Sequence, residues 1–299
     1  MVDIVTHAGI GLVLGAPFFT SAPELALGLI FGSVLPDLDA FSRLFGKRAF
    51  LGAHQTWSHS LPMIVMVGIA TVVLSLMLGW PWWSLAVGTM TGMTLHSALD
   101  LTNTFGICLW LPFNGRRQCL EWLFFIDLGV IAMTAGVVIW IFLAGFPYSQ
   151  VGWLPTATWG VAMAAWMCWR VSLRRQASTI APPGTVALIP SAWLPWRFYG
   201  TVQEPGAVRQ ITLDAWRGVM HDHAHHPIHD AEVSDILIRV PEVQIMRTLS
   251  PAYHALSVER VAGHIHIRCR DLRIRNFTDS FGACDITVRD DSLQVVFHA

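Results

Sequence analysis

Four histidines lie in the first 177 residues of this chain, and their neighbours suggest metal chemistry. His54 and His59 are separated by four residues, and His96 stands four residues before Asp100. On a helix, residues i and i+4 share one face, so His96 and Asp100 can reach the same ion. Neutral imidazole binds Zn, Fe, Ni or Mn at physiological pH. These spacings favour a divalent metal site over histidines that pack separately.

Two aspartates in the segment Leu35-Pro36-Asp37-Leu38-Asp39 add carboxylates to this group. Proline disfavours helical backbone in the residue before it, so the preceding helix is expected to end near Leu35. Both carboxylates can then bind one ion, or one can orient a histidine that does. The complete candidate set for metal binding has seven members: His7, Asp37, Asp39, His54, His59, His96 and Asp100.

The candidate set is larger than one metal ion needs. A tetrahedral zinc site takes about four ligands, so seven groups leave room for one or two divalent ions. Zinc is the expected metal, with manganese or iron as alternatives. An aspartate that does not bind metal would act as a general base, and Asp39 and Asp100 are the catalytic candidates.

Other polar groups are weaker candidates. Asp127, near the start of a later apolar segment, is a possible ligand, base or ion-pair partner for Arg116 or Arg117; Glu121 lies close by. The segment His221–His229 contains five histidines but no hydrophobic frame, so it is interpreted as a polar loop. Metal capture is the alternative for that loop.

The composition indicates which elements must position these groups. Hydrophobic residues make up 54% of the chain and charged residues only 13%, about half the usual share. Charges are expensive in lipid, so this balance predicts a membrane protein. The net charge is −1 and the pI is near 6.9, which argues against nucleic acid as a partner.

Apolar segments predict an α-helical polytopic membrane domain with about six membrane-embedded helices. Four segments approach the roughly 20 residues that cross ~30 Å of hydrocarbon. Two shorter segments precede them and form either short spans or a re-entrant hairpin. The segments are 4–20, 23–35, 61–80, 82–99, 122–146 and 151–171.

The basic residues of this domain predict its orientation. With alternating spans, all eight fall on one side, which the positive-inside rule assigns to the cytoplasm. Both termini are then cytoplasmic in a multi-pass inner-membrane protein. The seven candidate ligands lie near the same ends of the spans. The basic residues are Arg43, Lys47, Arg48, Arg116, Arg117, Arg170, Arg174 and Arg175.

The amino-acid composition changes after the last apolar segment. This change predicts a membrane domain over 1–177 and a small β-rich cytoplasmic domain over 178–299. Period-two alternation or turn signals predict strands. The five cysteines form no C-x-x-C pair and are interpreted as free thiols. The predicted strands are 197–203, 208–213, 236–240, 263–270 and 293–297.

The ordered motifs resemble the YdjM-like family of membrane-bound, predicted metal-dependent hydrolases. They are Thr6-His7-x-x-x-Gly11, Leu35-Pro36-Asp37-Leu38-Asp39, His54…Ser58-His59-Ser60 and His96-x-x-x-Asp100 with Gly106 and Pro112-Phe113 beyond it. The resemblance covers about residues 1–130 and implies a polytopic membrane protein with a divalent metal and hydrolytic activity. Gln55 and Ser58 depart from the Arg and Thr that the family often has there.

Three functions are compatible with these features. The first is a hydrolase at the cytoplasmic interface that acts on a lipid or amphipathic phosphoester, with membrane lipids as its partners. The second is a divalent-metal transporter or metal sensor, and the third is a structural membrane protein. A transporter places its ionisable groups near the bilayer midplane, whereas these groups gather at one face, so the enzyme is favoured.

Overall fold

The computed structural model describes residues 4–146, 152–227, 230–250, 252–261, 264–276, 282–289 and 292–298, with the backbone alone at Trp82. The chain divides into two compact units, Met1–Val171 and Ser172–Ala299. The first unit is helical and the second contains all of the described strands.

Seven helices are described in the first unit, the last of which continues into the second. Short 3-10 segments at Ala16–Phe18, Leu35–Phe45 and Trp57–His59 connect some of them. Asp37 and Asp39 lie in the longest of these segments, directly after the second helix. The helices are α1 Ile4–Gly15, α2 Pro23–Val34, α3 Lys47–Ala53, α4 Leu61–Leu78, α5 Trp82–Leu101, α6 Leu128–Leu143 and α7 Leu154–Ile180.

The prediction of about six membrane-embedded helices is wrong. Among the described residues, two helices are long and apolar enough to cross a bilayer: Pro23–Phe45, which includes the 3-10 segment, and Leu61–Leu78. Ile4–Phe18 and Leu128–Leu143 are apolar but shorter than the ~20 residues needed. Helices α5 and α7 are long enough to cross a bilayer, but their histidine, aspartate, threonine or arginine side chains lower their mean hydropathy.

Closely packed glycines join α2 to α5. Gly28 and Gly32 on α2 form a G-x-x-x-G pair, and Gly88 and Gly92 form another on α5. A Cβ atom on Gly92 would lie 2.5 Å from the Leu29 carbonyl oxygen, so the two backbones are in direct contact. Small residues at this spacing allow such close approach between helices. The contact brings the end of α2 beside the last turns of α5.

This contact predicts a stability difference between two glycine substitutions. Gly92→Ala forces α2 and α5 apart, and overpacking of this kind costs about 1–3 kcal/mol. Gly136→Ala on α6 meets no atom within 4 Å and should be neutral, or stabilising by up to about 1 kcal/mol through helix propensity. Thermal unfolding of the two detergent-purified variants measures the difference. Equal melting temperatures would contradict the close contact.

The second unit contains two antiparallel four-stranded sheets, in the orders β1-β2-β3-β4 and β5-β6-β7-β8. Helices α8 Ala231–Arg239 and α9 Pro241–Leu249 lie between them in sequence. The predicted β-rich C-terminal region is confirmed. The strands are β1 Thr185–Pro190, β2 Arg197–Glu204, β3 Ala207–Asp214, β4 Val219–Pro227, β5 Tyr253–Val261, β6 His264–Asp271, β7 Ala283–Arg289 and β8 Ser292–His298.

Two local predictions for this unit are wrong. Residues 236–240 were expected to form a strand, but 236–239 belong to α8, which Asp230 caps by accepting a hydrogen bond from the Val233 amide. Val233 and Leu237, one turn apart, bury the same helix face. The histidine-rich segment is not a loop: 221–227 lies in β4, paired with β3. His229, at its end, is outside the described residues.

Candidate metal centre

Four of the seven predicted ligands converge in the first unit. Asp37 comes from the 3-10 segment after α2, His59 from the turn before α4, and His96 and Asp100 from the last turns of α5. One ligand atom from each side chain lies within 4.8 Å of the others. All four side chains are at most 1% exposed. We call these residues the quartet.

The distances within the quartet are those of groups around a common centre. His59 Nε2 lies 3.1 Å from His96 Nε2 and 3.2 Å from Asp100 Oδ2. His96 Nε2 lies 3.5 Å from Asp37 Oδ1 and 3.8 Å from Asp100 Oδ2. Ligands about 2.0–2.2 Å from a zinc ion are separated from one another by roughly 3–4 Å. The spacing therefore fits a single ion.

Hydrogen bonds outside the quartet determine which ring nitrogen carries each proton. His96 Nδ1 lies 2.7 Å from the Ser33 carbonyl oxygen, which can only accept, so Nδ1 donates. Ser58 Oγ donates to Asp39 and lies 2.9 Å from His59 Nδ1, so this nitrogen donates to the hydroxyl. Both Nε2 atoms then present lone pairs toward the centre, as in metal-binding histidines.

This arrangement can hold a positive charge at its centre. With both rings neutral, His59 and His96 would point two lone pairs at each other across 3.1 Å, so a proton or a cation is expected between them. Neither carboxylate oxygen of buried Asp37 has a hydrogen-bond partner among the described residues. Burial of an unpaired carboxylate is costly, and a divalent cation removes that cost for the whole group. The donor set of nitrogen and oxygen suits zinc, manganese or iron, so it does not identify the metal.

Asp39 and His54 lie outside the quartet and support it. The Asp39 carboxylate accepts from His54 Nδ1 at 2.5 Å, the Gln55 amide at 3.0 Å and Ser58 Oγ at 2.5 Å. Asp39 Oδ2 is also 3.6 Å from His59 Nδ1. Asp39 therefore orients a quartet histidine, which is the role that outer carboxylates have in metal sites.

His7 is adjacent to the quartet but makes no hydrogen bond with it. Its ring stacks on His96 with centroids 3.7 Å apart, and its Nε2 lies 3.5 Å from Asp100 Oδ1. Neither ring nitrogen has a hydrogen-bond partner among the described residues. His7 is thus placed to join the ligand set from the Asp100 side.

Gln55 is a functional residue that the sequence interpretation missed. It was regarded as a departure from a motif, yet its buried side chain donates to Asp100 Oδ2 at 2.9 Å. Its backbone has a φ of +59°, and the Cys108 amide donates to its carbonyl. Asn103 supports the other oxygen of Asp100, at 3.3 Å. A polar residue between two motif histidines was the available signal.

Ser60 and Asp127 cap the helices that follow them. Ser60 caps α4 by accepting a hydrogen bond from the Met63 amide. Asp127 caps α6 and lies 3.8 Å from Arg170, rather than pairing with Arg116 or Arg117. Burial raises the pKa of the Asp127 carboxyl, and Arg170 opposes that shift.

A cavity of about 680 Å³ lies beside Asp39 and Ser58, two of the residues that support the quartet. Asp39 and Ser58 line it together with the apolar side chains of Met63, Val67 and Met93. Met63 and Val67 belong to α4, whose other residues include large exposed apolar side chains. The cavity thus has a polar part beside Asp39 and apolar walls elsewhere.

Comparison with protein families identifies the family of this chain. A family model described as "YdjM inner membrane protein" matches residues 1–177, which include the complete quartet and the cavity, and it confirms the resemblance found in the motifs. No curated protein and no solved structure matches the chain.

Proposed function

Because the chain belongs to the YdjM inner membrane protein family, we propose that it is a metal-dependent hydrolase that acts on a lipid or amphipathic phosphoester at the cytoplasmic face of the inner membrane. The observation that carries this proposal is the buried quartet, in which two oriented imidazoles and two carboxylates surround one point. Such a group has the composition of a divalent metal site.

The residues in and around the quartet have two proposed roles, metal binding and general-base catalysis. Asp37, His59, His96 and Asp100 would hold a divalent ion, which when bound would supply Lewis-acid chemistry to water and offset charge at a phosphoryl oxygen. Asp39 is the proposed general base, because its carboxylate lines the cavity and shares a hydrogen bond with His54. Asp100, the other catalytic candidate, is fully buried and is assigned to the ligands.

The cavity supports an amphipathic substrate. Its volume lies within the roughly 300–1,000 Å³ typical of small-molecule sites. Met63 and Val67 extend its apolar wall along α4. In the described part of the chain, α4 is one of two helices long and apolar enough to cross a bilayer. A hydrocarbon chain can occupy these walls while its phosphoester lies beside Asp39.

Filling the cavity tests this assignment. Gly52 on α3 lines it, and a Cβ atom there meets no atom within 4 Å. Gly52→Leu should therefore fold normally but lower hydrolysis of dioleoyl phosphatidic acid by at least about tenfold, because a lost chain contact is worth ~0.8 kcal/mol per methylene. Gly136→Leu on α6, equally open, is the matched control. Equal hydrolysis by the Gly52→Leu and Gly136→Leu variants would show that the cavity does not bind the substrate.

Metal analysis of the detergent-purified protein, followed by phosphatidic acid hydrolysis with and without chelator, tests the function itself. We expect about one divalent ion per quartet and turnover that a chelator removes and added metal restores. Protein without stoichiometric metal would refute the proposal at its first step.

The complete burial of the quartet favours a second candidate, a metal-transporting or metal-sensing membrane protein. A catalytic ion keeps one position open to substrate, whereas all four side chains are at most 1% exposed. Uptake of zinc into liposomes that contain the protein, without hydrolysis of any phospholipid, would support this alternative.

The side on which the termini lie stays a prediction. Six alternating crossings would place all eight basic residues on one side, but among the described residues there are two candidate spans. Arg43, Lys47 and Arg48 lie beside the quartet's segments in sequence, which supports a cytoplasmic position for the site. A reporter fused after Ala299 tests the C-terminus, and a periplasmic signal would exclude the cytoplasmic assignment.

A further inference from the structure

A second cavity lies entirely within the unit Ser172–Ala299 and has a basic lining. Its volume is about 620 Å³, and its walls come from strands β2 to β6 and from the segment after β6. Among its lining residues are five basic side chains and one aromatic: Arg197, Arg270, Arg275, His223, His226 and Tyr199.

The negative charge in this lining is already neutralised. The described lining contains one carboxylate, Asp271. That group accepts from Arg273 Nη2 at 2.9 Å and from Ser250 Oγ at 2.7 Å, and neither partner lines the cavity. The positive charges of Arg197 and Arg275, which also line the cavity, are not offset by this carboxylate and give the cavity an excess of positive charge. Since the whole chain has a net charge of −1, this excess is local.

Arg275 and His226 are held in place by neutral partners. Arg275 Nη1 donates to the Ile211 carbonyl at 3.1 Å, and its guanidinium lies 4.9 Å from the centroid of the Tyr199 ring. His226 Nε2 lies 3.2 Å from Gln210 Oε1, while the Gln210 amide nitrogen donates to Leu272. Contacts with neutral carbonyls and an aromatic ring orient these groups without neutralising them.

The basic side chains also act on one another. The positive charge of Arg275 lowers the pKa of His223. Burial, followed by His225 and His223, lowers the pKa of His226. A bound anion would act against both shifts by favouring the protonated imidazoles.

We propose that this cavity binds a phosphate-type anion, carried by a soluble phosphate ester or by a lipid headgroup. Guanidinium groups bind phosphate through paired, charge-assisted hydrogen bonds, and a converging set of them concentrates anions. Arg197 and Arg275 are the principal ligands, with Arg270 and the two histidines around them. The site uses no residue of the quartet and is independent of the hydrolase proposal.

Calorimetric titration of the purified full-length protein with pyrophosphate tests the site. Wild type is expected to bind saturably, and Arg197→Gln and Arg275→Gln should each weaken binding about 10- to 100-fold, as loss of a hydrogen bond to a charged group does. Arg197 has an exposed side chain, so its variant should fold even if Arg275→Gln does not. Arg217→Gln removes an exposed arginine from the β3–β4 turn, outside the cavity, and is the matched control.

Two results of this titration would contradict the anion site. Failure of wild type to bind pyrophosphate, or an equal loss in Arg197→Gln and Arg217→Gln, would overturn the proposal. Competition distinguishes the two sources of phosphate. Displacement of pyrophosphate by phosphatidic acid in mixed micelles, but not by phosphatidylcholine, assigns a lipid headgroup. Displacement by glycerol 3-phosphate alone assigns a soluble ester.

Discussion

Replacing His96 by alanine is expected to abolish stoichiometric binding of divalent metal, with a loss of affinity of more than about 100-fold. His96 Nε2 is within 3.8 Å of a ligand atom of every other quartet member. Losses of 10- to 100-fold are usual for partners outside the ligand shell, so loss of a ligand should exceed them. Equilibrium titration with zinc measures the affinity. Phosphatidic acid hydrolysis should disappear with the metal.

His54→Ala is the matched control for this experiment. His54 was in the same predicted ligand set, but it is not a member of the quartet: its Nδ1 contacts Asp39 at 2.5 Å, and its ring lies edge-on to that of His59 with centroids 6.2 Å apart. Its removal should weaken metal binding about 10- to 100-fold and leave the stoichiometry intact. If His54→Ala loses the metal completely while His96→Ala retains it, the division between quartet and support is wrong.

Replacing Asp37 by asparagine should change the stability of the metal-free and metal-bound protein in opposite directions. Asp37 is a buried carboxylate whose oxygens have no hydrogen-bond partner among the described residues. Without metal, asparagine removes a buried negative charge that makes no hydrogen bond and has His96 Nε2 at 3.5 Å as its ionic contact, so the variant should be more stable by about 1–3 kcal/mol. With metal, the variant loses the stabilisation that binding provides, about 2.7 kcal/mol at a metal concentration of 100 times Kd.

Thermal unfolding of wild type and Asp37→Asn, each with chelator and with zinc, measures both signs. We expect the variant to melt higher than wild type in chelator and lower in zinc. Asp235→Asn, on the exposed face of α8, is the control and should leave both melting temperatures unchanged. A variant that melts lower in both conditions would show that Asp37 has a structural partner instead of a metal.

The sequence determined the chemistry of the site. All four quartet members were among the seven candidates, because imidazole and carboxylate are identified by residue type and the i, i+4 spacing of His96 and Asp100 requires only a helix. The β-rich character of the C-terminal region also followed from alternation along single strands. Such local patterns depend on backbone geometry within a few residues, which a sequence displays directly.

Tertiary structure decided which candidates form the quartet. His96 points its Nε2 inward because Nδ1 donates to the Ser33 carbonyl, 63 residues earlier in the chain. That contact exists because glycines let α2 and α5 touch. Asp39 became a supporting residue through its hydrogen bonds to His54, Gln55 and Ser58. Spacing along the chain does not specify which of these distant partners a side chain will meet.

Tertiary structure also decided how much of the apolar sequence forms spans. The predicted span 122–146 begins as helix only at Leu128, because the amides of Trp122 and Leu123 donate to the Thr102 carbonyl and Asp127 caps α6. The apolar side chains of Leu123 and Phe124, which raise the hydropathy of this segment, are buried inside the protein. Hydropathy measures aversion to water and does not distinguish a side chain that packs against protein from one that faces lipid. The number of spans therefore depended on tertiary contacts, which composition does not record. The candidate metal ligands depended on residue types, which composition records directly.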